Sequence, residues 1–301
     1  MKKKLTIGGQ AVMEGVMVLS PKKYAVSVRK TNKKIITKVT RLPKNTSSIR
    51  KWPIIRGILN LVRMLMIGMR AMMWSANQAV GGKDEKLTTK EIAFTVILSL
   101  FFAILLFKGI PYSLTFIIGV QEEQNPIFFN IIDGIIRVSL FVLYIWAISF
   151  MRDIKRLFQY HGAEHMSIHC YEKNLKLNVA NVRKFSTIHP RCGTAFIIIV
   201  FLVAIFAYSL IPSFVMVFYP NFLELGFWWR RLILFSVRVL IFLPLVAGIS
   251  YEILKASARF PSNPILKVFS LPGLWLQKLT TNKPTNKQIE VAMMAVKKAV
   301  Q

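Results

Sequence analysis

His161, His165, His169 and His189 are the only histidines of this 301-residue chain, and they share with both cysteines, Cys170 and Cys192, the single stretch from His161 to Cys192. These are the side chains that bind borderline metals, so the stretch is where chemistry is expected. On a helix turning 100° per residue, His161, His165, His169 and Glu172 lie within about 80° of one another. His161-Gly162-Ala163-Glu164-His165 also reads H-x-x-E-H, the inverted zincin order, in which two histidines hold zinc and the glutamate activates water.

The expected centre is therefore a divalent metal, zinc first, on His161 and His165, with His169, Glu172 or His189 completing the shell. Glu164 is the expected general base. Cys192 is a further candidate, as a ligand or as a thiol activated beside His189 and Arg191. Cys170 falls about 180° from His161 on the same wheel and reads as a packed thiol. A disulfide between the two cysteines is open to the sequence, although a reducing compartment is expected. The competing reading is a polar cluster whose members hydrogen-bond one another where the chain meets the membrane.

The elements that must position these residues are mostly apolar. Hydrophobic residues make up 54% of the chain and the mean hydropathy is +0.47, too high for a soluble protein of this length. A formal charge of +28 is spread over loops beside apolar stretches, which fits anionic headgroups better than nucleic acid. Four transmembrane spans are expected, at Ile92–Ile118, Ile127–Phe150, Thr194–Phe218 and Leu232–Tyr251. The connection 119–126 carries Glu122 and Glu123 and no Lys or Arg, whereas the termini and the His segment are basic. The positive-inside rule then puts both termini and the His segment in the cytoplasm of a multi-pass protein.

Region 1–53 is expected to be cytosolic and β-rich, with strands in Ile7–Val18, Tyr24–Arg29 and Ile35–Thr40. Its basic start lacks an apolar h-region, so no cleaved signal is expected. Glycines of the Gly8–Met17 stretch read as backbone turns, with Glu14 a secondary candidate for the metal region. Region 54–91 holds an amphipathic helix, Ile54–Asn77, with Arg56, Asn60, Arg63 and Arg70 near one line, followed by a Gly81–Lys86 linker; it is expected to lie on the membrane, and a fifth span with buried arginines is the competing reading.

Regions 92–150 and 194–254 hold the spans, 151–193 the His/Cys segment, and 255–301 an interfacial stretch and a closing helix behind a Thr285–Gln288 capping box. Pro111 and Pro244 are expected to bend their spans. Within the bilayer, Asp133 and Arg137 stand four apart as an ion pair would, and Arg238 has no partner on its own span. Glu252, at the cytoplasmic end of the last span, is another secondary ligand candidate.

Gly8-Gly9-Gln10-Ala11-Val12-Met13-Glu14-Gly15-Val16-Met17, His161 to His165 with His169-Cys170-Tyr171-Glu172, Arg191-Cys192-Gly193-Thr194 and Pro272-Gly273-Leu274-Trp275-Leu276-Gln277 together resemble the YqhQ family of bacterial multi-pass membrane proteins. The resemblance runs the length of the chain and implies residence in a bacterial cell membrane and a metal-dependent enzymatic role without a substrate. Met166 stands where that family often has lysine.

The expected fold is an α-helical integral membrane protein with four transmembrane helices, a small β-containing cytosolic part and interfacial amphipathic helices. The expected function is a metal-dependent hydrolase at the cytoplasmic membrane face, acting on a membrane-proximal substrate. The alternative is a transporter or scaffold in which the histidines brace or sense and Asp133, Arg137 and Arg238 carry the function.

Overall fold

The architecture is described by a computed structural model covering residues 7–43, 52–79, 89–122, 124–260 and 262–301. The Gly81–Lys86 linker and Glu123 lie outside the described residues.

β-branched residues in the N-terminal region form a four-stranded antiparallel meander, β1 (Gly8–Val12), β2 (Gly15–Leu19), β3 (Lys23–Arg29) and β4 (Ile35–Arg41), in the order 1-2-3-4. Ile7–Val18 is thus a hairpin rather than one strand. Val12 pairs with Gly15 across a two-residue turn, in which Glu14 takes a φ of 51°.

Helix α1 (Ile55–Ala79) runs from the membrane-bundle helices to the sheet. Near its start Arg56 pairs with Glu252 and the Asn60 amide donates to the Tyr251 hydroxyl at 3.0 Å. Further on, Ile67 and Ala71 are buried with Val12, Met17 and Val26 of the sheet. Val62, Leu65, Met66, Met69 and Met73 are exposed.

The apolar helices that follow are α2 (Thr89–Ile104) and α3 (Ile110–Ile117), joined by a π turn at Leu105–Gly109; then α4 (Pro126–Ile148). After α5 (Arg152–Glu172) and the short α6 (Val179–Val182) come α7 (Gly193–Ser209), α8 (Ile211–Phe218) and α9 (Phe227–Val237). A second π turn, Arg238–Phe242, leads into α10 (Leu243–Arg259), and the chain ends with α11 (Pro264–Thr280) and α12 (Asn286–Val300). Pro111 and Pro244 each follow a π turn closely; the widened turn accommodates a residue that lacks an N–H and clashes one turn back. Pro272 does not break α11, which stays helical through it.

Five helical stretches are long and apolar enough to cross a membrane: Ile55–Ala79, Phe94–Ile117, Pro126–Ile148, Gly193–Phe218 and Phe227–Ser257. Their large apolar side chains are extensively exposed, as lipid-facing helices require. The chain is read as a multi-pass membrane protein. Where the sequence led to four spans, five helices qualify, because α1 also meets the length and hydropathy a bilayer asks for.

Helices α5 and α12 pack on the sheet. Ile7, Val16, Val18 and Ala25 share one core with Tyr160, Ala163, Ile168 and Cys170 of α5 and with Ile289, Ala292 and Val296 of α12. The expected capping box opens α12: the Thr285 hydroxyl accepts from the Gln288 N–H, and the Gln288 side-chain oxygen accepts from the Thr285 N–H. N-terminal strands, His segment and closing helix are therefore one packed unit.

Candidate metal centre

Helix α5 carries His161, His165, His169 and Glu172 on one face, and that face meets two other pieces of chain: the segment 187–192 and the C-terminal end of α11. Each supplies backbone carbonyls to the rings. A carbonyl can only accept, so each such contact assigns the ring proton. His161 donates from Nδ1 to the Thr280 carbonyl at 2.8 Å, and His165 from Nδ1 to the Thr187 carbonyl at 2.5 Å. Both Nε2 atoms are left as acceptors. His169 donates from Nε2 to the Ile188 carbonyl at 3.0 Å.

The free Nε2 of His161 lies 3.2 Å from the Cys192 sulfur. His161, His165 and Cys192 each place one ligand atom within 4.8 Å of the other two. Cys192 caps the N-terminus of α7, where the Thr194 N–H at 3.5 Å and the Thr194 hydroxyl at 3.2 Å reach its sulfur. Burial pushes its thiol pKa up, and those two contacts oppose the shift.

Glu164 borders the same cluster. It is 3% exposed, with Oε2 at 3.6 Å from His165 Nε2. Its neighbour is Gly9 on β1: a Cβ there would stand 2.6 Å from Glu164 Oε1 and 2.7 Å from the Met17 carbonyl oxygen. Glycine is what lets the strand come this close to the carboxylate. A Cβ at Gly162 would likewise meet the Asn282 carbonyl at 2.3 Å, which explains how α5 sits against the chain leaving α11.

Burial dominates the electrostatics. It raises the Glu164 pKa to about 8, against the opposing pull of His161. It lowers His165 to about 2, with His161 adding to the effect, and lowers His189 to about 4. His169 is lowered for the same reason. The rings of His165, His169 and His189 are thus held neutral, the form that binds metal.

A second group of three, His169, Glu172 and His189, also lies within 4.8 Å, and the four rings run in series: His161–His165 at 4.4 Å between centres, His165–His189 at 5.6 Å and His189–His169 at 4.4 Å. The hydrogen bonds distinguish it from the first group. His189 accepts the Arg191 N–H at Nδ1, 3.2 Å, so its neutral ring carries the proton on Nε2, which points to Glu172 at 3.4 Å. Glu172 is also paired with Arg191. Gln277, fully buried on α11, brackets His189: its Oε1 accepts the His189 N–H at 2.8 Å and its Nε2 donates to the His189 carbonyl at 3.0 Å.

The other sequence candidates lie elsewhere. Glu14, in the β1–β2 turn, accepts from Arg156 at 2.7 Å and from the Tyr160 hydroxyl at 3.3 Å. Glu252 is engaged by Arg56 of α1. Neither belongs to either group of potential ligands. Cys170 is fully buried, its thiol 3.9 Å from the Leu175 carbonyl, and neither cysteine is in a disulfide. Asp133 pairs with Arg137 as expected. Arg238 is not alone: it pairs with Glu122, a residue the sequence reading placed only in a loop. Gln277 and the carbonyls of Thr187 and Thr280 were not anticipated; backbone acceptors leave no mark in sequence, and Gln277 was visible only as the end of a family block.

A family model described as "Protein of unknown function (DUF1385)" matches residues 52–301. The "Uncharacterized protein YqhQ" of Bacillus subtilis (strain 168) is 34% identical over 308 residues, covering 95% of this chain and 89% of that protein. No solved structure matches.

Proposed function

The chain belongs to the DUF1385 family of unknown function, and from that premise we propose that it is a membrane-bound, metal-dependent hydrolase whose centre is His161, His165 and Cys192, with Glu164 as general base. The observation that carries this reading is the outward hydrogen bonding of both imidazoles from Nδ1, with His161 Nε2 3.2 Å from the Cys192 sulfur and one ligand atom of His165 within 4.8 Å of both partners. Two imidazoles and a thiolate suit zinc, and three protein ligands leave a position open, as catalytic sites do. When bound, zinc supplies Lewis acidity and acidifies water.

Glu164 is placed to take the proton of an attacking water and return it to a leaving group. Gly9 of β1 lies against it. His189, Glu172 and Arg191 form a hydrogen-bonded network that, with Gln277, pins segment 187–192 and so presents Cys192 to the histidines.

The centre is proposed to face the cytoplasm of a bacterial cell membrane, with four crossings and α1 on the surface. The sheet precedes α1, while α5 and α12 share its core, so all three lie on one side of the bilayer. Two qualifying helices besides α1 separate the sheet from α5, and two more separate α5 from α12. An even count on each side of α5 leaves no crossing for α1. Its exposed apolar face then rests among acyl chains and the basic surface meets anionic headgroups. A membrane-proximal substrate follows from a centre held at that level.

Metal analysis of the detergent-purified chain tests the reading, beside His161→Ala/His165→Ala and Glu164→Gln variants checked for folding. About one zinc per chain, lost in the double variant and kept in Glu164→Gln, supports the centre and justifies a hydrolase screen, in which Glu164→Gln is expected to lose about 10²–10⁴-fold in rate. A folded chain that takes up no divalent metal removes the catalytic reading and favours transport or scaffolding.

A further inference from the structure

Of the sequence blocks singled out above, Pro272-Gly273-Leu274-Trp275-Leu276-Gln277 on α11 meets the centre, so far, only through Gln277. The buried positions of α11 are Gly273, Leu276, Gln277 and Thr280, spaced i, i+3, i+4 and i+7, whereas Val268 and Trp275 are exposed. One helical face of α11 therefore looks inward.

Three positions on that face each meet a different piece of the centre. The Gln277 amide brackets His189. Thr280 is the last residue of α11, so its carbonyl has no partner further along the helix and accepts from His161 Nδ1 at 2.8 Å. Gly273 meets α7: a Cβ there would stand 2.5 Å from the Ala195 Cα and 2.6 Å from the Ala195 Cβ. At 1.5 Å per residue, the three contacts fall within about 10 Å of helix.

The contact at Gly273 reaches a ligand through one turn of backbone. The Ala195 N–H donates to the Cys192 carbonyl at 3.2 Å, and Cys192 is the N-cap of α7. Where the first turn of α7 rests on α11 thus decides where the Cys192 sulfur stands relative to His161 Nε2, 3.2 Å away. The His161 ring is oriented from the same helix, at Thr280. Thiolate ligands bind zinc at about 2.3 Å, so a small displacement of the sulfur matters.

We propose that Gly273 is a positioning residue of the metal centre: by admitting the first turn of α7 to close contact with α11, it places the Cys192 sulfur within binding distance of a metal held by His161 and His165. The inference rests on the reading of His161, His165 and Cys192 as ligands. It adds that the place of Cys192 is set by the α7–α11 contact, so a methyl group at position 273 weakens metal binding without removing a donor. The atoms it would meet belong to helix backbone and a first side-chain carbon, and neither can swing aside.

Cobalt(II) is the probe, because thiolate ligation gives it a sulfur-to-metal charge-transfer absorption that imidazole ligation lacks. The full chain, reduced and in detergent, is titrated as wild type, Gly273→Ala, Gly273→Ala/Ala195→Gly and Ile211→Ala, with Cys192→Ala to identify the band. Gly273→Ala is expected to bind cobalt about 10–100-fold more weakly and to show a weaker charge-transfer band per bound cobalt. The double variant removes one of the two overlapping atoms and is expected to recover part of both. Ile211→Ala opens the buried cluster at the far end of the same membrane stretch, so it lowers the melting temperature and leaves cobalt affinity and band unchanged.

Wild-type affinity and band in a folded Gly273→Ala chain overturn the proposal. So does a loss that Ile211→Ala reproduces, or one that the double variant does not reduce. Should Gly273→Ala not fold, the double variant takes its place, and cobalt binding equal to wild type in that chain overturns the proposal. A wild-type chain that binds no cobalt overturns the centre itself, and the role of Gly273 with it.

Discussion

The Cys192 sulfur lies 3.2 Å from His161 Nε2, although the two residues are thirty-one apart in the chain. The contact joins the N-cap of one membrane helix to the middle of a helix packed on the sheet. It completes a three-donor set that neither segment holds alone.

Replacing Cys192 with alanine therefore lowers zinc affinity by at least about a hundredfold, more than the loss of an outer hydrogen-bond partner would cause. Competition against a chromogenic chelator measures this. Wild-type affinity in a folded Cys192→Ala chain would take Cys192 out of the ligand set.

Gly9→Ala inserts a methyl group 2.6 Å from Glu164 Oε1 and 2.7 Å from the Met17 carbonyl. The strand backbone cannot yield freely, so a cost of about 1–3 kcal/mol is expected, together with a displaced Glu164. Thermal melting reads the first effect. Retained metal with reduced turnover reads the second, and unchanged values of both contradict the packing described.

Gln277→Ala leaves the buried N–H of His189 without its partner, at about 1–3 kcal/mol, while the His189 C=O keeps the Cys192 N–H at 3.3 Å. Denaturant unfolding in detergent gives the total. Metal affinity should fall as well, because segment 187–192 loses its clamp. A variant as stable as wild type would mean that water or another group replaces the amide.

Single cysteines at Lys33, Gln124 and Lys283, in a chain with Cys170 and Cys192 replaced, report the topology. Gln124→Cys should react with an impermeant maleimide in intact cells, while Lys33→Cys and Lys283→Cys react only after permeabilisation. Labelling of Lys33→Cys and Lys283→Cys from opposite sides would mean that α1 crosses the bilayer.

Much of the architecture was legible because it rests on local rules. Strand-forming runs, the Thr285–Gln288 capping box and the Asp133–Arg137 spacing depend on residues a few positions apart. The same is true of the His161–Glu172 face, since helical periodicity alone aligns it. Helix α1 was harder. Its composition meets the demands of a bilayer and of an amphipathic surface helix alike, and its later half packs against the sheet.

By itself, then, the sequence determined that the chain has helices apolar enough to enter a membrane and that three of its four histidines cluster on one helical face. Tertiary structure decided which of them converge. It brought Cys192 to His161 and His165, turned two imidazoles outward onto the Thr280 and Thr187 carbonyls, moved Glu14 and Glu252 into separate ion pairs, and folded Glu122 inward to Arg238. The physical reason is range. Periodicity relates residues within a few turns, whereas contacts across tens of residues depend on how helices pack and where backbone carbonyls are left free.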